Sequence, residues 1–208
     1  MFPNSNINLN SIPIVTLGGK GRFEEALGTA RLFFEETNAE IQTICLLDHD
    51  YSTDEEIAKF SSRAEESHLN LHIWKKKEIE NYIVTPQIVF SASKLPESKR
   101  EELYLELEQV VEKYKDSITD QYGKKFFELN KNGRDLTTVM PLAREYVNSK
   151  WTTLEDKMAL VNGKQLITEV IDILRGKFGV TRRKNDFIAV MNIDNTSSEL
   201  LDVLKIFN

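Results

Sequence analysis

The sequence predicts an α/β fold: a parallel sheet with flanking helices plus a helical insertion. Three β-type runs alternate with two helical patterns between Ser11 and Trp74, as parallel strands joined by crossover helices do. From Pro96 the strand signals stop and helical spacing continues to about Trp151. At 208 residues, 40% apolar and 29% charged, the chain has material for one good core with a helical annex.

"SIPIVTL" (11–17) is the first β-type run and ends in "GGKG". "RFEEALGTARLFFEETN" (22–38) then carries helical spacing through Phe23, Leu27, Ala30, Phe33 and Phe34. "IQTICLL" (41–47) is continuously apolar, as expected of a strand covered on both faces. "STDEEIAKFSSRAEESH" (52–68) opens with a Ser/Thr cap followed by Glu and reads as a helix. "LNLHIW" (69–74) alternates as a third strand. Beyond Pro96, Leu103, Leu107, Val110, Val111, Tyr114 and Ile118 share one face of a long helix. A further helix follows "NGK" (162–164), "DFIAV" (186–190) reads as a strand, and "TSSELLDVLKIF" (196–207) as a closing helix. The expected division is an α/β core over 11–95, a helical insertion over 96–151, and a C-terminal part over 152–208 that completes the core.

A net charge of −6 argues against a broadly basic nucleic-acid coat and leaves room for a local basic patch. The single cysteine, Cys45, lies in an apolar run, which excludes an internal disulfide and favours a reducing compartment. No apolar run approaches the roughly 18 residues needed to span a membrane, and no signal-peptide pattern opens the sequence. The expectation is a cytoplasmic protein with no membrane association.

The chemistry concentrates at two strand ends. Asp48 and Asp50 alternate along the chain, so they face opposite ways unless the strand ends between them and the chain turns. At the C-terminal edge of a parallel sheet, two hard oxygen donors suit Mg²⁺ or Mn²⁺. The alternative is that Asp50 merely opens a polar turn. "WKKKEIENY" (74–82) follows the next strand and places Glu78 and Glu80 on the same edge, with Lys75, Lys76 and Lys77 beside them. Glu78 can equally belong to a solvated charge run, whereas Glu80 sits among apolar residues and calls for a partner.

"LLDHDY", "LHIWKKKEIENYIVTPQIV" and "VNGKQLITEVIDIL" together resemble the TOPRIM nuclease domain of the overcoming-lysogenization-defect (OLD) family, with its related anti-phage ATPases. The resemblance is strongest from Ile12 to Pro86 and around Asn162 to Phe178. It implies a TOPRIM-like sheet, DNA as substrate, a divalent cation, and an ATPase domain or subunit upstream or in trans, with homodimerisation as a further form of assembly. It makes Asp48, Asp50 and Glu80 metal ligands, adds Glu78 to the metal site at the smaller upstream position of the same motif, and matches Lys164 to a lysine facing the scissile phosphate. Two such ions about 3.5–4 Å apart activate water and stabilise the leaving oxygen in phosphodiester hydrolysis, and an ammonium stabilises charge developing on the phosphate. Lys164 as a surface residue at a helix start is the plainer alternative.

One element of that family is missing. Its domains begin with a strand and a glutamate, and "MFPNSNINLN" contains no acidic residue. The expectation is an incomplete nuclease module, a piece of a longer protein or half of a split one, that alone binds metal weakly and cuts poorly. "GGKG" lacks the phosphate-loop spacing and reads as a strand-to-helix turn, with Lys20 as a minor candidate for phosphate contact. His49 reads as a site-edge residue, His72 as structural, Cys45 as core, and Trp74 and Trp151 as packing anchors. A catalytically silent module docking a partner through its helices is the alternative function. A receiver-like phosphoacceptor ranks last, because Glu78 and Glu80 stand where that pattern has no place for them.

Overall fold

A computed structural model describes residues 12–129 and 135–205. Helix α1 (Phe23–Glu36) leads to strand β1 (Thr43–Leu47), helix α2 (Asp54–Glu66) and strand β2 (Leu69–Ile73). The two strands pair in parallel, Thr43 opposite Leu69 and Leu47 opposite Ile73, so the chain leaves both at the same edge. The helix over 54–66 begins as its sequence requires. The Thr53 hydroxyl accepts the Glu56 N–H while the Glu56 carboxylate accepts the Thr53 N–H, so the first-turn donors are satisfied.

The sheet is smaller than its sequence suggests, with two strands among the described residues. The expected strand at 11–17 does not form over its described residues, 12–17, which run as irregular chain. Pro13 carries no N–H to donate to a ladder, and Ile14 and Val15 stand 82% and 88% exposed. Nor is β1 covered on both faces: Cys45 and Leu47 are buried, whereas Leu46 is 40% exposed. One face packs Cys45, Leu47 and Leu69 against Phe23, Leu27 and Ala30 of α1 and Ala64 of α2. Cys45 is a core residue, and burial pushes its thiol pKa up.

Helices build the rest: α3 (Pro86–Ser93), α4 (Arg100–Glu112), α5 (Lys115–Leu129), α6 (Leu136–Lys150), α7 (Leu154–Leu160), α8 (Gly163–Phe178), α9 (Lys184–Ala189) and α10 (Ser198–Lys205). The long helix expected after Pro96 is two helices, with turns at Lys113 and Tyr114 between them. The expected strand at 186–190 is instead α9 and its C-terminal turn. The Asp186 carboxylate accepts the Arg183 N–H at 2.7 Å, a helix-start bond, and Phe187 is buried in the helical core. A four-residue apolar run fits either period, and tertiary packing chose the helix. One apolar cluster runs from Val84 and Ile88 through Leu103, Leu107, Tyr122 and Val147 to Leu166, Leu174 and Phe187. The C-terminal helix forms over the described part of its predicted span; residues 206–208 lie outside it. No helix among the described residues is long and apolar enough to cross a membrane.

The chain is therefore α/β, with a two-stranded parallel sheet beside a larger helical core. The segment between β2 and α3 lies where the two meet, and the charged residues singled out above collect there.

Candidate functional site

Strand β1 ends at Leu47, so Asp48 and Asp50 belong to a turn rather than to opposite faces of a strand. Asp50 and Tyr51 both take left-handed backbone angles, φ 47° and 58°, which reverse the chain into α2. Left-handed residues other than glycine are disfavoured, so neighbours must hold this turn in place. The Ser52 N–H donates to the His49 carbonyl at 2.8 Å and the Asp50 N–H to the Lys77 carbonyl at 3.2 Å. The Trp74 N–H donates to the Leu47 carbonyl at 2.9 Å, which joins the second loop to the first. Asp48 Oδ1 accepts the Ile79 N–H at 3.2 Å.

The segment 77–81 is docked onto the helical core. Lys77 and Glu78 are 8% and 6% exposed, an unusual burial for charged side chains and one that requires partners. Lys77 Nζ lies 2.5 Å from Glu78 Oε1 and 3.5 Å from Asp50 Oδ1, and it sits 5.0 Å from the centre of the Tyr51 ring. Glu78 Oε1 also accepts Asn162 Nδ2 at 2.6 Å, while Oε2 accepts the Gly163 N–H at 3.1 Å. Glu78 therefore caps the N-terminus of α8, where a carboxylate is favoured by unpaired N–H groups and by the helix dipole. Asn81 completes the dock by donating to the carbonyls of Met158 and Val161 at 2.8 and 2.9 Å. The approach is so close that a Cβ on Gly163 would stand 2.7 Å from the Glu80 Cβ.

Glu80 finds the partner its apolar surroundings call for. Its Oε1 lies 3.4 Å from Lys184 Nζ of α9, with 11% of its own side chain exposed. Lys164 lies exposed in the first turn of α8, and its ammonium has no bonded partner among the described residues. Lys20 is drawn inward: its ammonium donates to the His49 carbonyl and to the Ser52 hydroxyl, both at 2.6 Å. His49 is half-buried, and burial, with the Lys20 and Lys150 charges next, lowers its pKa to about 4. Trp74 and Trp151 are both buried, as packing anchors should be, and His72 is held by Glu199 at 3.0 Å.

The chain matches no known family model, no curated protein and no solved structure.

The four acidic candidates form one electrostatic group without closing into a metal cage. Burial raises the Asp48 pKa above the usual carboxylate range, and Asp50, Glu78 and Glu80 push it the same way. Among the described residues, however, no three His, Cys, Asp or Glu side chains converge as a metal-holding group. The reason is visible in the bonds: Ile79 holds Asp48, Lys77 holds Asp50, and Lys184 holds Glu80. In donor chemistry Asp48, Asp50 and Glu80 fit a divalent cation. They are hard oxygen donors of the kind such ions prefer. Glu78 does not fit, because protein donors occupy both its oxygens.

Sequence reading missed Lys77, Asn81 and Gly163 as a unit, and gave Lys20 a lesser place. The available signal was the pairing of E-x-x-N in 78–81 with N-G in 162–163, two short polar motifs flanked by apolar residues.

Proposed function

We propose that this chain carries a TOPRIM-like, OLD-type site for metal-dependent phosphodiester hydrolysis of DNA, in which Asp48, Asp50 and Glu80 are the metal-holding carboxylates. The supporting observation is that these three side chains follow the C-terminal ends of adjacent parallel strands, where Asp50 and Glu80, like Glu78, add to burial in raising the Asp48 pKa. Mg²⁺ or Mn²⁺ bound there would polarise the phosphodiester and make an attacking water acidic.

The chain's own residues do the rest. The turn at Asp50 and Tyr51 brings Asp50 back toward Asp48, and the Ile79 N–H orients the Asp48 carboxylate. Lys77 is committed to Glu78 and reaches Asp50 at longer range, so it neutralises the cluster while no cation is bound. The Glu80–Lys184 contact is long and its lysine is 51% exposed, so breaking it to free the carboxylate costs little. Lys164 is exposed and uncommitted, as a lysine that meets a phosphate should be. An ATPase domain or subunit, and a second copy of the chain, are the proposed protein partners.

A second reading has a specific observation behind it. Two of the three carboxylates already have a lysine partner within the chain, as expected of a silent module that has replaced its cation with ammonium groups. Calorimetric titration with Mn²⁺ separates the two. The metal reading expects binding that Asp48→Asn abolishes. Heat-free titrations of the unsubstituted chain would establish the silent module instead.

A further inference from the structure

Lys20 stands at the centre of the Gly18–Gly21 turn that leads into α1, yet its side chain ends at the far end of β1. Gly18 and Gly19, with φ of 77° and 116°, adopt angles that allow the turn to deliver it there. The two acceptors of its ammonium, the His49 carbonyl and the Ser52 hydroxyl, flank Asp50 and Tyr51 on either side. Those two residues are the left-handed pair. Ser52 is 1% exposed, so its hydroxyl cannot exchange the lysine for water without opening the turn. Burial lowers the Lys20 pKa, with the charges of Asp50 and Glu56 opposing it; an ammonium held under that cost has a structural task.

We infer that Lys20 is a positioning residue, which clamps the Asp48–Ser52 turn through His49 and Ser52 and so holds the Asp50 carboxylate at the sheet edge beside Asp48. Its consequence for metal binding rests on the reading given under Proposed function; the clamp itself does not. A lysine that acted only through its charge would have the opposite effect on a cation. Lys20 lies within the electrostatic reach of both Asp48 and Asp50, so removing a bystander charge tightens cation binding. Removing a clamp lets Asp50 swing away and weakens it. The sign of the change separates the two.

The test compares the unsubstituted chain with Lys20→Met, which keeps the length without the charge, and Ser52→Ala, which keeps the charge and removes one acceptor. Amide hydrogen exchange is followed in metal-free protein, and Mn²⁺ affinity by calorimetry, both well below each variant's unfolding temperature. The clamp predicts at least tenfold faster exchange at residues 49–53 in Lys20→Met, with the amides of α4 and α8 unchanged. It also predicts Mn²⁺ binding about tenfold weaker in Lys20→Met and several-fold weaker in Ser52→Ala. Unchanged exchange in the turn, or tighter Mn²⁺ binding by Lys20→Met, overturns the inference. Should the unsubstituted chain bind no Mn²⁺, the metal reading falls and exchange alone decides: a loosened turn upholds the clamp, an unaltered one refutes it. If Lys20→Met does not fold, Ser52→Ala carries the same two measurements.

Discussion

Replacing Gly163 by alanine sets two physical effects of opposite sign against each other. Gly163 is the first residue of α8, and alanine is a better helix former than glycine by up to about 1 kcal/mol. Its backbone is not in the left-handed region, so no conformational strain bars the change. The added Cβ, however, would stand 2.7 Å from the Glu80 Cβ, 3.0 Å from Asn81 Oδ1 and 3.1 Å from the Asn81 N. Relieving that contact pushes α8 away from the 79–82 turn, at about 1–3 kcal/mol for overpacking. It also stretches the 3.1 Å bond from the Gly163 N–H to Glu78, for about 1 kcal/mol more. The net expectation is a loss of about 2 kcal/mol. Gly176, in the same helix, has nothing within 4 Å of its would-be Cβ, so Gly176→Ala should gain about 0.5–1 kcal/mol. Urea unfolding followed by circular dichroism reads both. With a slope of about 2 kcal/mol/M, the midpoint should fall by about 1 M for Gly163→Ala and rise by about 0.3–0.5 M for Gly176→Ala. Two upward shifts would mean that α8 is not pressed against Glu80 and Asn81, and the docking geometry would be wrong.

Glu78→Ala should cost about 3–5 kcal/mol, because it strands the buried Lys77 ammonium with the 3.5 Å contact to Asp50 and the Tyr51 ring and leaves the Gly163 N–H of α8 without its acceptor; a loss below about 1 kcal/mol would contradict the role of Glu78 at the start of α8. Mn²⁺ at a hundredfold excess over its dissociation constant should add about 2.7 kcal/mol, seen as a higher Tm. Asp48→Asn should abolish that increase while making the metal-free chain more stable, and Tm values indifferent to Mn²⁺ would count against the site. His49 supplies a pH dependence with a defined sign. Its folded pKa of about 4 lies below the ordinary 6.5, so the unfolded chain binds the extra proton and stability falls as pH drops through that interval. About 2 kcal/mol should be lost between pH 7 and pH 5, and His49→Asn should flatten that slope. A slope identical in the two proteins would show that His49 is not held neutral.

Some of this molecule was legible in one dimension. Apolar residues recurring at helical spacing placed α1, α2 and α8, and continuous or alternating apolar runs placed β1 and β2, because period and burial are tied locally. Where the local signal was short, contacts elsewhere in the chain decided. "SIPIVTL" has strand-like residues, but without a neighbour to take its backbone hydrogen bonds its described part stays irregular. "DFIAV" became a helix because Phe187 had a helical core to enter.

The candidate site divides in the same way. That Asp48, Asp50, Glu78 and Glu80 share one sheet edge follows from parallel pairing, which the strand–helix–strand order already implies. What each carboxylate does there does not follow. Glu78 is a helix cap because Asn162 and Gly163 arrive from 84 and 85 residues away, and Lys77 is buried for the same reason. Lys20 reaches His49 and Ser52 across 29 and 32 residues. A carboxylate's availability to a cation depends on which donors surround it, and those donors come from distant parts of the chain. Sequence alone determined which residue types stand at the edge; only the tertiary structure decided which of them are already taken, because desolvation and pairing depend on distances in space.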